Sequence, residues 1–172
     1  TKANVWLMIQ TWLVWSVLAA LWAFKQQYIG LTPSEIAWLA SGADRTHILW
    51  GQLRSFSFYS DAGQFGSEMA GTTLVSLILF FRVKKLSSKA IYLVLVLVLF
   101  WGFAVSGTRS SLFVILAGYP AYLALQRKLM PVLQGIAMAT PILAILLFTN
   151  IGSGIYQIYR IRTALKPTQD ES

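Results

Sequence analysis

Residues 90–126 read AIYLVLVLVLFWGFAVSGTRSSLFVILAGYPAYLALQ. Two apolar runs, 90–105 and 112–126, flank a short polar stretch in which Arg109 is the one charged residue. A membrane-spanning helix needs roughly 20 mainly apolar residues, and a helix satisfies its own backbone hydrogen bonds in lipid. This stretch therefore predicts two spanning helices joined by a tight turn that carries an arginine.

The composition of the whole chain is typical of a membrane protein. Of its 172 residues 56% are hydrophobic and 12% are charged, whereas soluble domains carry about 25% charged residues. The net charge of +8 comes from basic residues that flank the apolar runs and form no basic stripe, so we predict no nucleic-acid partner. The absence of cysteine excludes disulfides and thiolate metal sites.

Five apolar stretches predict an all-α fold, a polytopic bundle of about five transmembrane helices that forms a single transmembrane region over residues 1–172. The second stretch is short and contains Glu68 near its start, which weakens it as a span. The first residue is not Met and the last residues are polar, so we expect an excerpt of a longer multi-pass protein. The predicted spans are 5–24, 65–81, 90–106, 110–126 and 130–149, and the predicted outer loops are 25–64 and 150–172.

The loop 25–64 contains the sequence TPSEIAWLA (32–40), which has the start signals of a helix. Thr32 is a capping residue, Pro33 suits the first turn, and Glu35 completes a capping box three residues after Thr32. We predict a short helix here that lies along the membrane interface, and we predict no β-sheet in the chain.

Basic residues in short loops indicate which side of the membrane is cytoplasmic. The loop 25–64, the turn around Arg109 and the tail 150–172 are thereby predicted to face outside, together with all six acidic residues. The basic residues are divided equally, seven inside and seven outside, so the orientation depends on loop length and on the acids. The short cytoplasmic loops contain Arg82, Lys84, Lys85 and Lys89 in one case and Arg127 and Lys128 in the other.

The cations on the predicted outer side are mainly arginines, whose planar fork of donors suits phosphate or carboxylate groups. An anionic ligand would explain why arginines are kept on the side where basic residues are disfavoured. The outer arginines are Arg45, Arg54, Arg109, Arg160 and Arg162.

Arg109 is surrounded in sequence by the residues of an anion site. Ser106, Gly107 and Thr108 permit a tight turn, and Ser110 is a candidate cap for the next helix, whose N-terminus would face outside. An arginine, hydroxyls and a helix N-terminus at one point would form a phosphate cradle. The alternative is that Arg109 extends to lipid headgroups, as arginines at helix ends often do.

A second segment, LRSFSFYSDAGQFG (53–66), places Arg54 before aromatics, a carboxylate and a glycine-containing turn. The alternative interpretation is an aromatic belt at the membrane interface. Arg54, Asp61 and Gln64 together are more polar than a belt requires.

A third segment, YQIYRIRTALKP (156–167), adds two arginines just after the fifth predicted span. On a helix Arg160 and Arg162 would diverge, so we expect one of them to face a site.

Three motifs resemble those of the O-antigen ligase and polymerase family of bacterial membrane proteins. They are RSFSFYSDAGQFG, SGTRSSLF and YRIRTAL, and they extend over roughly residues 50–165. Their order and their predicted side of the membrane also agree with the family. Ala62-Gly63-Gln64 stands where the family commonly has a Pro-Asn pair after its first arginine.

The resemblance implies glycosyl transfer at the outer, periplasmic face of the bacterial inner membrane. The donor would be a glycan on undecaprenyl pyrophosphate, and the acceptor would be a sugar hydroxyl of lipid A core or of another lipid-linked chain. The outer arginines, except Arg45, would bind the pyrophosphate and offset the charge that develops on the leaving group. These are Arg54, Arg109, Arg160 and Arg162, with Asp61, Gln64, Ser106, Thr108 and Ser110 in supporting roles.

The resemblance also implies a reaction without a metal ion or another cofactor. Family members use a histidine in a large outer loop that follows the third motif, and this chain ends before such a residue. His47 is the only histidine present and is a candidate catalytic group, with a structural or interfacial role as the alternative. For the whole chain, the alternative to an enzyme is a non-catalytic transporter or an assembly component that binds anionic lipid or solute.

Overall fold

The computed structural model describes residues 1–49, 51–108 and 110–126, and this part of the chain is mostly helical. The chain divides into two units, Thr1–Ile115 and Leu116–Ser172, and the candidate site lies in the first. Single π-helical segments follow the first and second helices, at Lys25–Ile29 and Leu39–Ala43. The elements in chain order are α1 (Lys2–Phe24), α2 (Pro33–Trp38), α3 (Asp44–His47), β1 (Ile48–Leu49), β2 (Gln52–Leu53), α4 (Ala62–Arg82), α5 (Leu86–Ser106) and α6 (Leu112–Leu125).

Four of the five predicted spans coincide with helices, namely α1, α4, α5 and α6. The fifth predicted span, 130–149, lies outside the described residues. Among the described residues, two helical stretches are long and apolar enough to cross a membrane: Lys2–Ile29, with a mean hydropathy of 1.7, and Leu86–Ser106, with 2.1. α6 is also apolar but shorter, with 14 residues.

Local capping sets the ends of α4. The carboxylate of Asp61 accepts hydrogen bonds from the backbone N–H groups of Gly63 (2.6 Å) and Gln64 (3.3 Å). The helix therefore begins at Ala62, before the predicted apolar span, since a capping carboxylate satisfies N–H groups that have no partner within the helix. It ends at Arg82, because the next residue adopts an extended conformation.

The main core is formed where α1, α4 and α5 pack together. Gly102 of α5 allows close approach to α4, because a Cβ atom there would lie 3.1 Å from the sulfur of Met69. Small residues often have this role between membrane helices. The buried apolar side chains of the core are Leu13, Ala19, Ala20, Ala23, Phe65, Met69, Ala70, Leu99, Phe103 and Val105.

Glu68, the acidic residue that weakens the second predicted span, is accommodated by donors from α1. Its carboxylate accepts hydrogen bonds from the indole Nε1 of Trp12 and from the hydroxyl of Ser16, the latter at 3.1 Å. These bonds offset the cost of placing a polar group between apolar helices. Burial raises the pKa of Tyr59, which precedes α4, and the nearby Glu68 carboxylate raises it further.

The loop between α1 and α4 contains the predicted short helix, α2, with its complete capping box. The hydroxyl of Thr32 accepts the backbone N–H of Glu35 at 3.2 Å, and the Glu35 carboxylate accepts the backbone N–H of Thr32 at 2.6 Å. The cap signals in the sequence therefore located this helix correctly.

The prediction of no β-sheet is wrong, because β1 and β2 form a small antiparallel hairpin in the same loop. Ile48 pairs with Leu53, and Leu49 pairs with Gln52. Gly51 has a φ of 72°, a conformation that glycine adopts without steric cost in the turn. Two-residue strands are too short to show the alternating pattern from which a strand is predicted.

Candidate anion site at the Arg54 junction

Arg54 joins two parts of the chain that are far apart in sequence. Its guanidinium Nε donates to the carbonyl of Ser106 (3.0 Å), and another nitrogen donates to the hydroxyl of Thr108 (3.3 Å). A third nitrogen donates to the carbonyl of Thr46 (2.9 Å). We call this group, made of Thr46, Arg54, Ser106 and Thr108, the Arg54 junction. It brings the first predicted motif into contact with the start of the second.

The turn after α5 is built around Gly107, whose φ of 61° ends the helix in the left-handed region. The hydroxyl of Ser106 accepts the backbone N–H of Thr108 at 3.2 Å and donates to the carbonyl of Phe103 at 2.7 Å. The hydroxyl of Thr108 donates to the carbonyl of Ala62, at the start of α4, at 3.0 Å. The small hydroxyl residues of this motif thus fix the turn against the beginning of α4.

Gly66 permits this close approach, although the sequence analysis assigned it no role. A Cβ atom on Gly66 would lie 2.6 Å from the Thr108 hydroxyl and 2.7 Å from its Cβ, and would also overlap the Ser106 hydroxyl. Glycine at this position is therefore a packing requirement. A glycine inside a helical pattern signals either a packing requirement or a helix end, but the sequence does not name the neighbour.

A second hydroxyl contact links α4 to the segment that opens α6. Ser67 and Ser111 lie 2.8 Å apart through their hydroxyl oxygens, and Ser111 is buried. Ser110, the predicted cap, is exposed, and its carbonyl accepts the backbone N–H of Phe113 at 3.2 Å. The serine that contacts α4 is therefore Ser111, whereas the sequence analysis named its neighbour Ser110.

The other predicted supporting residues lie at the start of α4. Asp61 caps that helix, as described above. Gln64 is exposed, and its side-chain carbonyl accepts the hydroxyl of Ser60 at 3.2 Å. The carbonyl of Ala62, the first residue of this capped helix, accepts the hydroxyl of Thr108. Asp61 is therefore connected to Thr108 through the start of α4.

His47 is buried beside the junction, with 2% of the residue exposed. The ring makes edge contacts with Trp38 and Phe56, at centroid distances of 4.8 and 5.2 Å. Its Nδ1 lies 2.9 Å from the carbonyl of Ala43, and its Nε2 is buried with no hydrogen-bond partner among the described residues. The backbone carbonyl of His47 accepts the N–H of Arg54 at 2.8 Å. This burial favours the structural alternative for His47.

A separate polar group, which we call the Glu35 cluster, holds the loop to the C-terminal end of α1 and to the π-helical segment that follows it. The Glu35 carboxylate accepts hydrogen bonds from Trp22 Nε1 (2.9 Å), Gln26 Nε2 (2.7 Å) and Lys25 Nζ (3.3 Å), in addition to Thr32. Burial raises the pKa of Glu35, but hydrogen bonds from Thr32, Gln26 and Trp22 outweigh it and lower the pKa from 4.5 to about 2. The cluster thus keeps a carboxylate ionised at the base of the loop.

Gln26 connects the Glu35 cluster to the segment that follows Arg54. Its side-chain oxygen accepts the backbone N–H groups of Phe56 (3.2 Å) and Ser57 (2.9 Å). The residue Gln26 is 3% exposed. From α5, the carbonyl of Val105 accepts the N–H of Ser55 at 3.1 Å. The chain around Arg54 is therefore held by both α5 and the π-helical segment that follows α1.

The junction places a permanent positive charge at a defined point. Two carbonyls and a hydroxyl, all of them neutral, accept hydrogen bonds from the guanidinium of Arg54 and orient it. Among the described residues no group of three or more His, Cys, Asp or Glu side chains could hold a metal ion. The chemistry that this arrangement offers is the binding of an anion.

The remaining candidate arginines, Arg109, Arg160 and Arg162, lie outside the described residues. The junction includes Thr108, which immediately precedes Arg109 in the chain. No protein family, no curated protein and no solved structure was found to match this chain.

Proposed function

We propose that the protein is a multi-pass membrane glycosyltransferase that acts on a glycan carried by undecaprenyl pyrophosphate. In this proposal about five helices cross the bacterial inner membrane, and the active face is the outer, periplasmic one. The acceptor is a sugar hydroxyl of lipid A core or of another lipid-linked chain, so that the protein is a polysaccharide ligase or polymerase. The resemblance of the three arginine-containing motifs to the O-antigen ligase and polymerase family supports this choice of substrate.

The observation that carries the proposal is the hydrogen bond from Arg54 to Thr108. It links the first arginine motif to the residue that precedes Arg109, across 54 positions of sequence. In the proposal Arg54 and Arg109 act together, and two arginines suit a pyrophosphate, which carries two adjacent phosphate groups and needs several charge-assisted donors. The two stretches that are long and apolar enough to cross a membrane supply the setting for a lipid-linked donor.

In the proposed reaction, the oxygen of the acceptor hydroxyl forms a bond to the anomeric carbon of the donor sugar. Its proton passes to a general base, a role that the resemblance gives to a histidine of a large outer loop after the third motif. The bond from that carbon to the pyrophosphate oxygen breaks, and the negative charge develops on the leaving pyrophosphate. Arg54 and Arg109, with Arg160 or Arg162, bind the pyrophosphate and stabilise this charge more strongly in the transition state than in the bound donor. The reaction needs no metal ion and no other cofactor.

The test replaces Arg109 with lysine, which keeps the charge but loses the planar fork of donors. Loss of one charge-assisted contact costs about 1.5–3 kcal/mol, which corresponds to a fall in glycan transfer of about 10–100-fold. Arg45→Lys is the matched control, since Arg45 is exposed and has no proposed contact with the ligand. Both variants are compared with the wild type in cells whose surface polysaccharide depends on the protein, at equal expression. Wild-type transfer by Arg109→Lys would contradict the pyrophosphate role.

One observation favours a second candidate, a non-catalytic transporter or assembly component that binds anionic lipid or solute. His47, the candidate catalytic group, is buried between Trp38 and Phe56, as expected for a histidine with a structural role. The two candidates differ in product: the purified full-length enzyme, mixed with lipid-linked donor and acceptor, yields elongated or transferred glycan. A protein that binds the donor without forming product would be a transporter or assembly component.

A further inference from the structure

We infer that His47 is a positioning residue for Arg54, because its imidazole fixes the turn whose carbonyls hold both the main chain and the side chain of that arginine. The inference rests on the proposed function, since it treats Arg54 as the ligand-binding group. It assigns His47 a role different from proton transfer. The imidazole acts on the ligand only through Arg54.

Two of the carbonyls that accept hydrogen bonds from Arg54 belong to consecutive residues of the chain. The carbonyl of His47 accepts its backbone N–H at 2.8 Å, and the carbonyl of Thr46 accepts one nitrogen of its guanidinium at 2.9 Å. On its other side, the guanidinium donates to Ser106 and Thr108. The position of the charge is therefore set by where the turn ending at His47 lies relative to the turn after α5.

The side chain of His47 locks the first of these two turns. Its Nδ1 lies 2.9 Å from the carbonyl of Ala43 and 2.8 Å from the hydroxyl of Thr46, and that hydroxyl lies 3.2 Å from the same carbonyl. The inference assigns the proton to Nδ1, because the carbonyl of Ala43 can only accept, whereas the hydroxyl of Thr46 can donate or accept. The imidazole thus closes a ring of hydrogen bonds over residues 43–47, and the carbonyl that holds Arg54 belongs to this closed turn.

The ring of His47 is also held by packing. It contacts Trp38 and Phe56 edge-on and is almost completely buried. Its Nε2 has no hydrogen-bond partner in the described part of the chain and points into this packed environment. A nitrogen buried in this way does not reach a sugar hydroxyl, but a ring held in this way makes the turn rigid.

Two substitutions separate the hydrogen bond from the packing. His47→Phe keeps an aromatic ring between Trp38 and Phe56 but removes the Nδ1 donor. His47→Asn loses the ring but keeps an N–H donor at the same number of bonds from Cα, so it can still reach the carbonyl of Ala43. The readout is the Kd of the full-length protein in detergent micelles for farnesyl pyrophosphate, a short polyprenyl pyrophosphate, with farnesol as the uncharged control.

We expect His47→Phe to weaken farnesyl pyrophosphate binding about 3–10-fold, the effect of one lost hydrogen bond. His47→Asn should bind nearly as well as the wild type. In a protein that already carries Arg54→Lys, His47→Phe should have no further effect, because the group that it positions is gone. Unchanged binding by His47→Phe, or an additive effect in the double variant, overturns the inference. A loss of kcat that is equal in both His47 variants, with binding unchanged, also overturns it.

A spectroscopic measurement decides the inference even if His47→Phe does not fold. The ¹⁵N NMR shifts of the single histidine of the wild-type protein report which ring nitrogen carries the proton; we expect Nδ1, and a proton on Nε2 overturns the inference. Failure of the proposed function is distinguishable, because it appears as unchanged affinity in Arg54→Lys itself. Failure of the inference alone appears as weaker binding in Arg54→Lys with no effect of His47→Phe.

Discussion

The Glu35 cluster and the Arg54 junction are both polar hubs at the same loop, but they are built around opposite charges. Glu35 is paired with Lys25 at 3.3 Å and receives further neutral donors, so its charge is compensated within the cluster. Arg54 donates to two carbonyls and a hydroxyl, which fix the direction of its guanidinium. The first hub holds an anionic side chain for stability, and the second orients a cation as the proposed role in anion binding requires.

The largest expected effect concerns the packing beneath the Arg54 junction. Gly66→Ala places a Cβ atom in contact with Ser106 and Thr108, and we expect a loss of about 2–3 kcal/mol in the free energy of unfolding. Gly71→Ala is the matched control in the same helix, because its Cβ would lie 3.9 Å from the ring of Trp12. That control should gain about 0.5–1 kcal/mol. Denaturant unfolding in detergent micelles measures both, and equal effects would show that the close approach at Gly66 is unimportant.

Next in size is the loss of the Glu35 carboxylate. Glu35→Gln should lower stability at neutral pH by roughly 2 kcal/mol, since the native state favours the ionised form. The pKa is lowered on folding from 4.5 to about 2, so this stability is present above about pH 5 and is lost as the pH falls towards 2. Thermal unfolding of the wild type between pH 7 and pH 2 should show this decrease, and Glu35→Gln should show a weaker one. Asp44→Asn, a substitution of the same kind at an exposed acid outside the cluster, is the matched control.

A smaller effect is expected from the hydroxyl of Thr108. Thr108→Val keeps the shape of the side chain but removes the donor to Ala62 and the acceptor for Arg54, which should cost about 1 kcal/mol of stability. It should also weaken the affinity for farnesyl pyrophosphate, because Arg54 loses one of the groups that orient it. Thr108→Ser retains the hydroxyl and should behave like the wild type. A valine variant with wild-type stability and affinity would remove Thr108 from the junction.

The smallest effect is predicted for the cation of the Glu35 cluster. Lys25→Gln should cost only about 0.5 kcal/mol, because ion pairs that are partly exposed contribute little and are screened by salt. The side chains of Lys25 and Glu35 are 23% and 12% exposed. The loss should disappear in unfolding measurements at high salt. If Lys25→Gln were as damaging as Glu35→Gln, the ion pair rather than the neutral donors would dominate this cluster.

The short-range signals in the sequence were sufficient for the elements that depend on nearby residues. The capping box of α2 involves residues three positions apart, and the structure contains both of its hydrogen bonds. The apolar runs predicted helices at α1 and α5, which in the described part of the chain are the two both long and apolar enough to cross a membrane. The hairpin was missed because its strands have two residues each. Its formation depends on a glycine turn and on the bond from Arg54 to His47.

The candidate site was only partly predictable, for a similar reason. Arginines and small hydroxyl residues can be recognised in a sequence, and Arg54, Ser106 and Thr108 do meet in the structure. The main-chain carbonyl of Thr46 completes the junction, and the types of the side chains in the sequence do not indicate this contact. Nor do they distinguish Ser111 from Ser110, since adjacent residues at a helix start differ only in the direction in which they face.

The sequence by itself determined the apolar helices, the start of α2 and the residue types of an anion site, because each depends on local composition or on residues within one helical turn. The tertiary structure alone decided which of those residues meet. Gly66 lets the turn after α5 approach α4, and Gln26 holds the backbone of Phe56 and Ser57 beside α1. Such contacts join residues about 30–50 positions apart, and they form only when helix packing removes the entropy of the loop between them.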